Sequence, residues 1–126
     1  MERIGLIALG GALGALARHG CVVFGERWAA AGIPLAVLTV NVLGSFLAGC
    51  VMTFVISRPG ASENLRLFAM VGVLGAFTTF SAFTWENLEL IRSGSVGRAA
   101  LHAALHVSLS LAAVFLGTWA MRASIS

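Results

Sequence analysis

Charge is what this chain has least of. Only 10 % of its 126 residues are Asp, Glu, Lys or Arg, against about a quarter in ordinary soluble domains. Lysine is absent, so all eight basic residues are arginine. With 59 % hydrophobic residues and a mean hydropathy of +0.96, the chain carries more apolar surface than a water-soluble fold of this length could cover. Its natural solvent is lipid. Two cysteines, Cys21 and Cys50, fall in separate apolar stretches without metal or redox spacing, and free, buried thiols are the expected state. Of the two prolines, Pro34 lies at the very start of an apolar run and Pro59 just beyond its end. Low-complexity segments and internal repeats are missing, as are an ATP motif and a catalytic triad, so an enzyme is not expected.

Charge-free runs mark the spans. Ile33 to Ile56, Leu67 to Trp85 and Ala99 to Met121 carry no formal charge, and each is near the roughly 20 residues that cross a bilayer. A first span over Ile4 to Phe24 is interrupted by Arg18 and His19. Arg18 could snorkel, its stem in the apolar layer and its guanidinium at the headgroups. The reading is one all-α domain over residues 1–126 with approximate spans 4–24, 33–56, 67–91 and 97–121. Short connectors punctuate it: Glu26, Arg27, Trp28 and Gly32-Ile33-Pro34; Ser57-Arg58-Pro59-Gly60; and Arg92-Ser93-Gly94-Ser95. Ser62 before Glu63 suits a helix start, where a carboxylate meets the positive end of the dipole. A cleaved leader ending near Ala15-Leu16-Ala17 is disfavoured, because Glu2 offsets Arg3 where net positive charge is needed.

If four helices alternate, Arg3, Arg58, Arg66 and Arg122 lie on one side, and Arg18, Arg27, Arg92 and Arg98 at or near the other. Orientation follows the side richer in Lys and Arg, and here neither side is richer. A chain without orientational bias can insert both ways and pair as an antiparallel dimer, an inverted repeat made from two copies. The arginines are scattered singly, which does not suit nucleic acid.

Small residues at four-residue spacing (Gly10 and Gly14, Gly44 and Ala48, Ser45 and Gly49) provide close helix packing. A phosphate-cradling role for Gly10 to Gly14 fails, because no Lys-Ser/Thr follows. The functional signal lies in polar groups at membrane depth. Asn41 sits mid-span, where an amide needs a partner or water. Thr78-Thr79-Phe80-Ser81, shortly after Gly75, makes a poor helix interior. A break there would free carbonyls that must be buried in protein or bind something. His102, His106 and Ser110 recur every four residues on one face of the last span. No acid or thiol in that span completes a metal site, and a polar track beside water suits them better. Phe80 and Phe83, three apart, either pack or turn their electropositive ring edges to an anion.

Three segments resemble the Fluc (CrcB) fluoride channel family: Gly10 to Arg18, Val40-Asn41-Val42-Leu43-Gly44-Ser45-Phe46, and Gly75-Ala76-Phe77-Thr78-Thr79-Phe80-Ser81-Ala82-Phe83. The likeness runs essentially end to end. It implies a multi-pass protein of the bacterial cytoplasmic membrane: a dual-topology antiparallel homodimer with two fluoride pathways and a broken third helix. Backbone carbonyls of Gly75 and Thr78 would hold a structural, non-transported Na⁺ at the dimer interface. Pore or anion-binding positions would be Phe80, Phe83, Asn41, Ser81, His102, His106 and Ser110, with Arg18 and Glu86 at a vestibule or gate. The chain departs from the family pattern at Ala36-Val37 (usually Gly-Thr), Ala76 (glycine), Ala82 (threonine), and His19 and His102 (tyrosine). A small dual-topology proton-coupled multidrug exporter is the alternative. It needs a deep carboxylate, usually in the first span, where this chain has none beyond Glu2.

Overall fold

The computed structural model describes residues 1–27, 33–58, 60 and 63–126. Trp28, Gly32, Pro59 and Ser62, named above as punctuation or helix start, lie outside the described residues. Four helical segments are long and apolar enough to cross a membrane: Glu2–Glu26, Leu35–Ser57, Glu63–Arg92 and Val96–Ile125. We label them α1 (Glu2–Glu26), α2 (Leu35–Ser57), the third span as α3 (63–77) and α4 (Phe80–Arg92), and α5 (Val96–Ile125). The third span is bent. Thr78 and Thr79 are extended, with φ/ψ of −78°/155° and −153°/118°, and they divide α3 from α4. Most of α3 is π-helical, over Leu67–Leu74, a wider winding often found at functional sites.

Glycine backbones make the principal contacts. On α1, a Cβ at Gly14 would run into the Val73 carbonyl, and one at Gly10 into that of Phe68. On α5, a Cβ at Gly117 would meet the Phe46 carbonyl, while one at Gly49 of α2 would meet that of Val114. The molecule is thus two tight pairs, α1 on α3 and α2 on α5, with backbones touching where no side chain intervenes. Gly44 faces elsewhere, toward the Thr78 methyl at the break. Both thiols are free. Cys50 is half-buried and donates to the Gly117 carbonyl at 3.3 Å, but Cys21 is exposed on α1, so its expected burial is corrected: it lines an open groove between α1 and α2 with Leu35, Ala36 and Thr39.

The ends are consistent with alternating helices. Arg3 pairs with Glu63 at 3.0 Å, which puts the starts of α1 and of the third span on one side. At the other side α4 stops at Gly94, whose φ of +78° is the left-handed conformation glycine adopts freely. There the Ser95 N–H donates to the Leu90 carbonyl and the Gly94 N–H to that of Ile91, satisfying the last carbonyls of the helix.

Candidate functional site

The site grows out of the break. In a continuous helix the Thr79 N–H would bond the Gly75 carbonyl, and the Ala82 N–H that of Thr78. Here Thr79 N–H donates to Asn41 Oδ1 at 2.8 Å, and Ala82 N–H donates to Thr79 Oγ1 at 3.2 Å, capping α4. Asn41 Nδ2 returns the bond, donating to the Thr79 carbonyl at 2.9 Å. One amide on α2 therefore grips both backbone polar groups of Thr79 and holds the extended segment in place. Ser45 donates to the Asn41 carbonyl at 2.7 Å, and Thr78 Oγ1 to that of Leu74 at 2.9 Å.

These diversions free the Gly75 and Thr78 carbonyls of their helical donors. Both residues line an open groove of about 440 Å³ beside the break, and Gly75 is exposed. Carbonyl oxygens released from their i+4 helical donors are ligands for a hard cation, so the residues fit a Na⁺ ion held by backbone. Among the described residues no group of three His, Cys, Asp or Glu side chains could hold a metal. Any cation here would depend on carbonyl oxygen.

The same groove gathers Asn41, Phe80, Phe83, His106 and Ser110. Phe80 is 76 % exposed, with its ring 5.3 Å from that of Phe83. Phe83 packs on the His106 ring at 4.3 Å and, farther off, on His102 at 5.5 Å. The groove is largely apolar, with hydroxyl and amide groups along it and no charged side chain in its lining. Asn41 keeps one Nδ2 hydrogen beyond its bond to Thr79. Ring edges, hydroxyls and that hydrogen can replace water around a small anion.

Other sequence-predicted residues stand elsewhere. Ser81 is exposed beside the groove, its hydroxyl 3.2 Å from Thr79 Oγ1. His102 lies behind the groove with no exposed surface. Its Nε2 is 3.2 Å from the Pro34 carbonyl and 3.4 Å from Glu86 Oε2, and its Nδ1 is 3.2 Å from Asn87 Oδ1. Arg18 is half-buried on α1 and makes no ion pair among the described residues. Sequence reasoning missed Thr79, Asn87 and Pro34 as organisers. Thr79 was accessible as the second residue of the helix-poor Thr-Thr pair, but no pattern announces Asn87 or the Pro34 carbonyl.

The family model described as CrcB-like protein, Camphor Resistance (CrcB), matches residues 5–118. A relative from Thermus thermophilus is 49 % identical over 118 residues, covering 93 % of this chain and 93 % of its own length. One from Idiomarina loihiensis is 45 % identical over 109 residues, 86 % of this chain and 84 % of the relative. One from Rhizobium meliloti is 38 % identical over 125 residues, 99 % of this chain and all of the relative. Each of the three is named a fluoride-specific ion channel FluC. A match of this extent to the family model, with relatives this similar along nearly their whole lengths, means that the chain is a multi-pass membrane protein belonging to the CrcB-like family.

Proposed function

We propose that this chain is the subunit of a passive fluoride-selective channel of the bacterial cytoplasmic membrane. The observation that carries the reading is the groove at the broken third span. There Asn41 clamps the break, the Phe80–Phe83 pair and Ser110 face open space, and relatives bearing the fluoride-channel name match nearly end to end. Hydroxyl, amide and ring-edge donors without a fixed charge favour a small hard anion that sheds its water, and can release it again. Fluoride enters as neutral HF, dissociates in the more alkaline interior and is trapped. An inside-negative potential then drives F⁻ outward, worth about 2.3 kcal/mol per charge per 100 mV. The relatives' names give the drug-exporter alternative no support. One liposome experiment tests the reading: purified protein should pass fluoride passively and electrogenically, with little chloride flux. The flux should require Na⁺ that is retained rather than transported, as carbonyl ligation by Gly75 and Thr78 implies. Chloride passing as readily as fluoride, or Na⁺ moving in fixed stoichiometry, would overturn it.

The working unit in this proposal is an antiparallel homodimer. The groove is open on one side, and a ring as large as Phe80 lies exposed at its edge. A second copy inserted the other way up would cover that side, and balanced arginines permit both insertions. In a background without Cys21 and Cys50, a single cysteine at Ser57 is expected to react with impermeant reagent from both faces of sealed membranes. Labelling from one face alone would refute dual insertion.

A further inference from the structure

Two buried imidazoles pack on Phe83, the second of them also lining the groove, and a carboxylate with one buried oxygen lies against the first. His102 has no exposed surface. The Pro34 carbonyl, 3.2 Å from its Nε2, can only accept, so Nε2 carries a hydrogen. Its Nδ1 faces the Asn87 amide at 3.2 Å. That amide can present its NH₂ to neutral imidazole or its oxygen to imidazolium, so the pocket satisfies either protonation state. Glu86 Oε2, 3.4 Å from His102 Nε2, is buried with no hydrogen bond among the described residues. One helical turn on, His106 is 6 % exposed. Its Nδ1 lies 3.2 Å from the His102 carbonyl, which fixes the hydrogen there and leaves a lone pair on Nε2. That nitrogen too is buried without a partner. The two imidazoles meet edge to face at 4.4 Å, and Phe83 packs against both.

We propose that Glu86, His102 and His106 form a proton-binding cluster that raises anion throughput as it takes up protons. The inference rests on the fluoride-channel reading and adds to it. Whichever of the three groups takes a proton, the cluster becomes more positive by one charge, at the groove wall for His106 and behind it for His102 and Glu86. The direction therefore does not depend on the order of titration, and acid favours an anion in the path. Surrounding charges leave this intact. Glu26, at the end of α1, is within electrostatic reach of Glu86. Glu89 and Arg92 on α4 pair with each other at the surface. α2 has no charged side chain between Leu35 and Ser57, and the α3 charges, Glu63 and Arg66, stand at its far end. Arg98 precedes His102 by one turn of α5 and is exposed.

The test is valinomycin-driven fluoride efflux from liposomes at symmetric pH between about 8 and 5.5, the range in which histidine changes charge. Only electrogenic flux is counted, so neutral HF leaking through lipid does not register. Throughput of the unmodified protein is expected to rise by about threefold or more across this range, the order of effect of one partly screened charge at this separation. The triple variant Glu86→Gln/His102→Gln/His106→Gln, which leaves the cluster no group to titrate, is expected to lose that rise. In parallel, ¹⁵N-histidine NMR and carboxyl infrared spectroscopy of the unmodified protein in nanodiscs should show at least one of the three groups gaining a proton. A flat profile in a conducting protein, a rise that survives in a conducting triple variant, or no proton gained by any of the three groups across the range would each overturn the inference while leaving the channel assignment standing. Absence of fluoride flux at every pH would instead remove the channel reading and the inference with it. If the triple variant does not fold or does not conduct, the profile and spectra of the unmodified protein decide.

Discussion

An Asn41→Leu channel is expected to pass no fluoride above the level of empty liposomes, and to be less stable than the unmodified protein. The two losses have one cause. Asn41 Oδ1 and Nδ2 satisfy the N–H and C=O of Thr79, in a stretch where the backbone cannot satisfy itself because Thr78 and Thr79 are extended. Leucine leaves both groups unpartnered at membrane depth, at about 1–3 kcal/mol each. The chain can escape that cost by winding Thr78 and Thr79 into continuous helix. Doing so would swing Phe80 and Phe83 about the helix axis and return helical donors to the Gly75 and Thr78 carbonyls. Were Asn41 merely a donor lining the path, leucine would reduce flux and leave thermal stability alone. Asn41→Asp sharpens the comparison, since aspartate can still accept from the Thr79 N–H but cannot donate to its carbonyl. It should be intermediate in stability and, with a negative charge in the groove, poor in flux. The checks are efflux at matched protein and thermal melting in the same detergent. Normal flux and unchanged melting in the leucine variant would sink the clamp.

How much of this was legible beforehand depends on where the information sits. The spans were, because a charge inside hydrocarbon is expensive enough to make its absence a ruler. So was the bend, because two β-branched residues shortly after a glycine oppose helix at one point. Asn41 stood out as polar, but its partner 38 positions away could not be named, since a long-range bond leaves no local period. The same gap explains the last helix. Four-residue spacing puts His102, His106 and Ser110 on one face, yet the neighbours opposite that face change along it. Near His102 they are Glu86, Asn87 and the Pro34 carbonyl, which enclose the ring completely. Farther along they give way to the groove, where His106 and Ser110 line open space. The π-helical winding of Leu67–Leu74 has no signature in the sequence. Its contact with α1 does, in Gly10 and Gly14.

Phe80→Leu and Phe83→Leu are each expected to cut fluoride efflux by roughly tenfold or more, a factor of ten corresponding to about 1.4 kcal/mol at the limiting step. Their effects on folding should differ. Phe80 is 76 % exposed in the single chain and touches the Phe83 ring at 5.3 Å, so leucine there removes little packing from the subunit. Phe83 has more ring neighbours, with His106 at 4.3 Å and His102 at 5.5 Å besides Phe80. Its loss forfeits aromatic contacts worth about 0.5–1.5 kcal/mol a pair, and the melting point should fall. A purely structural role predicts the reverse ranking in function: the Phe83 variant impaired through instability, and the Phe80 variant nearly normal, because apolar exchanges of similar volume are usually tolerated. Phe80→Leu is therefore the discriminating variant. If it folds, inserts and loses flux, the ring itself matters to the ion, since an aliphatic side chain has no electropositive edge to offer in place of water. Near-normal efflux from Phe80→Leu at matched amounts of monodisperse protein would remove the ring-edge mechanism for that position. Near-normal efflux from both variants would remove it altogether, and leave hydroxyl and amide donors to carry the anion.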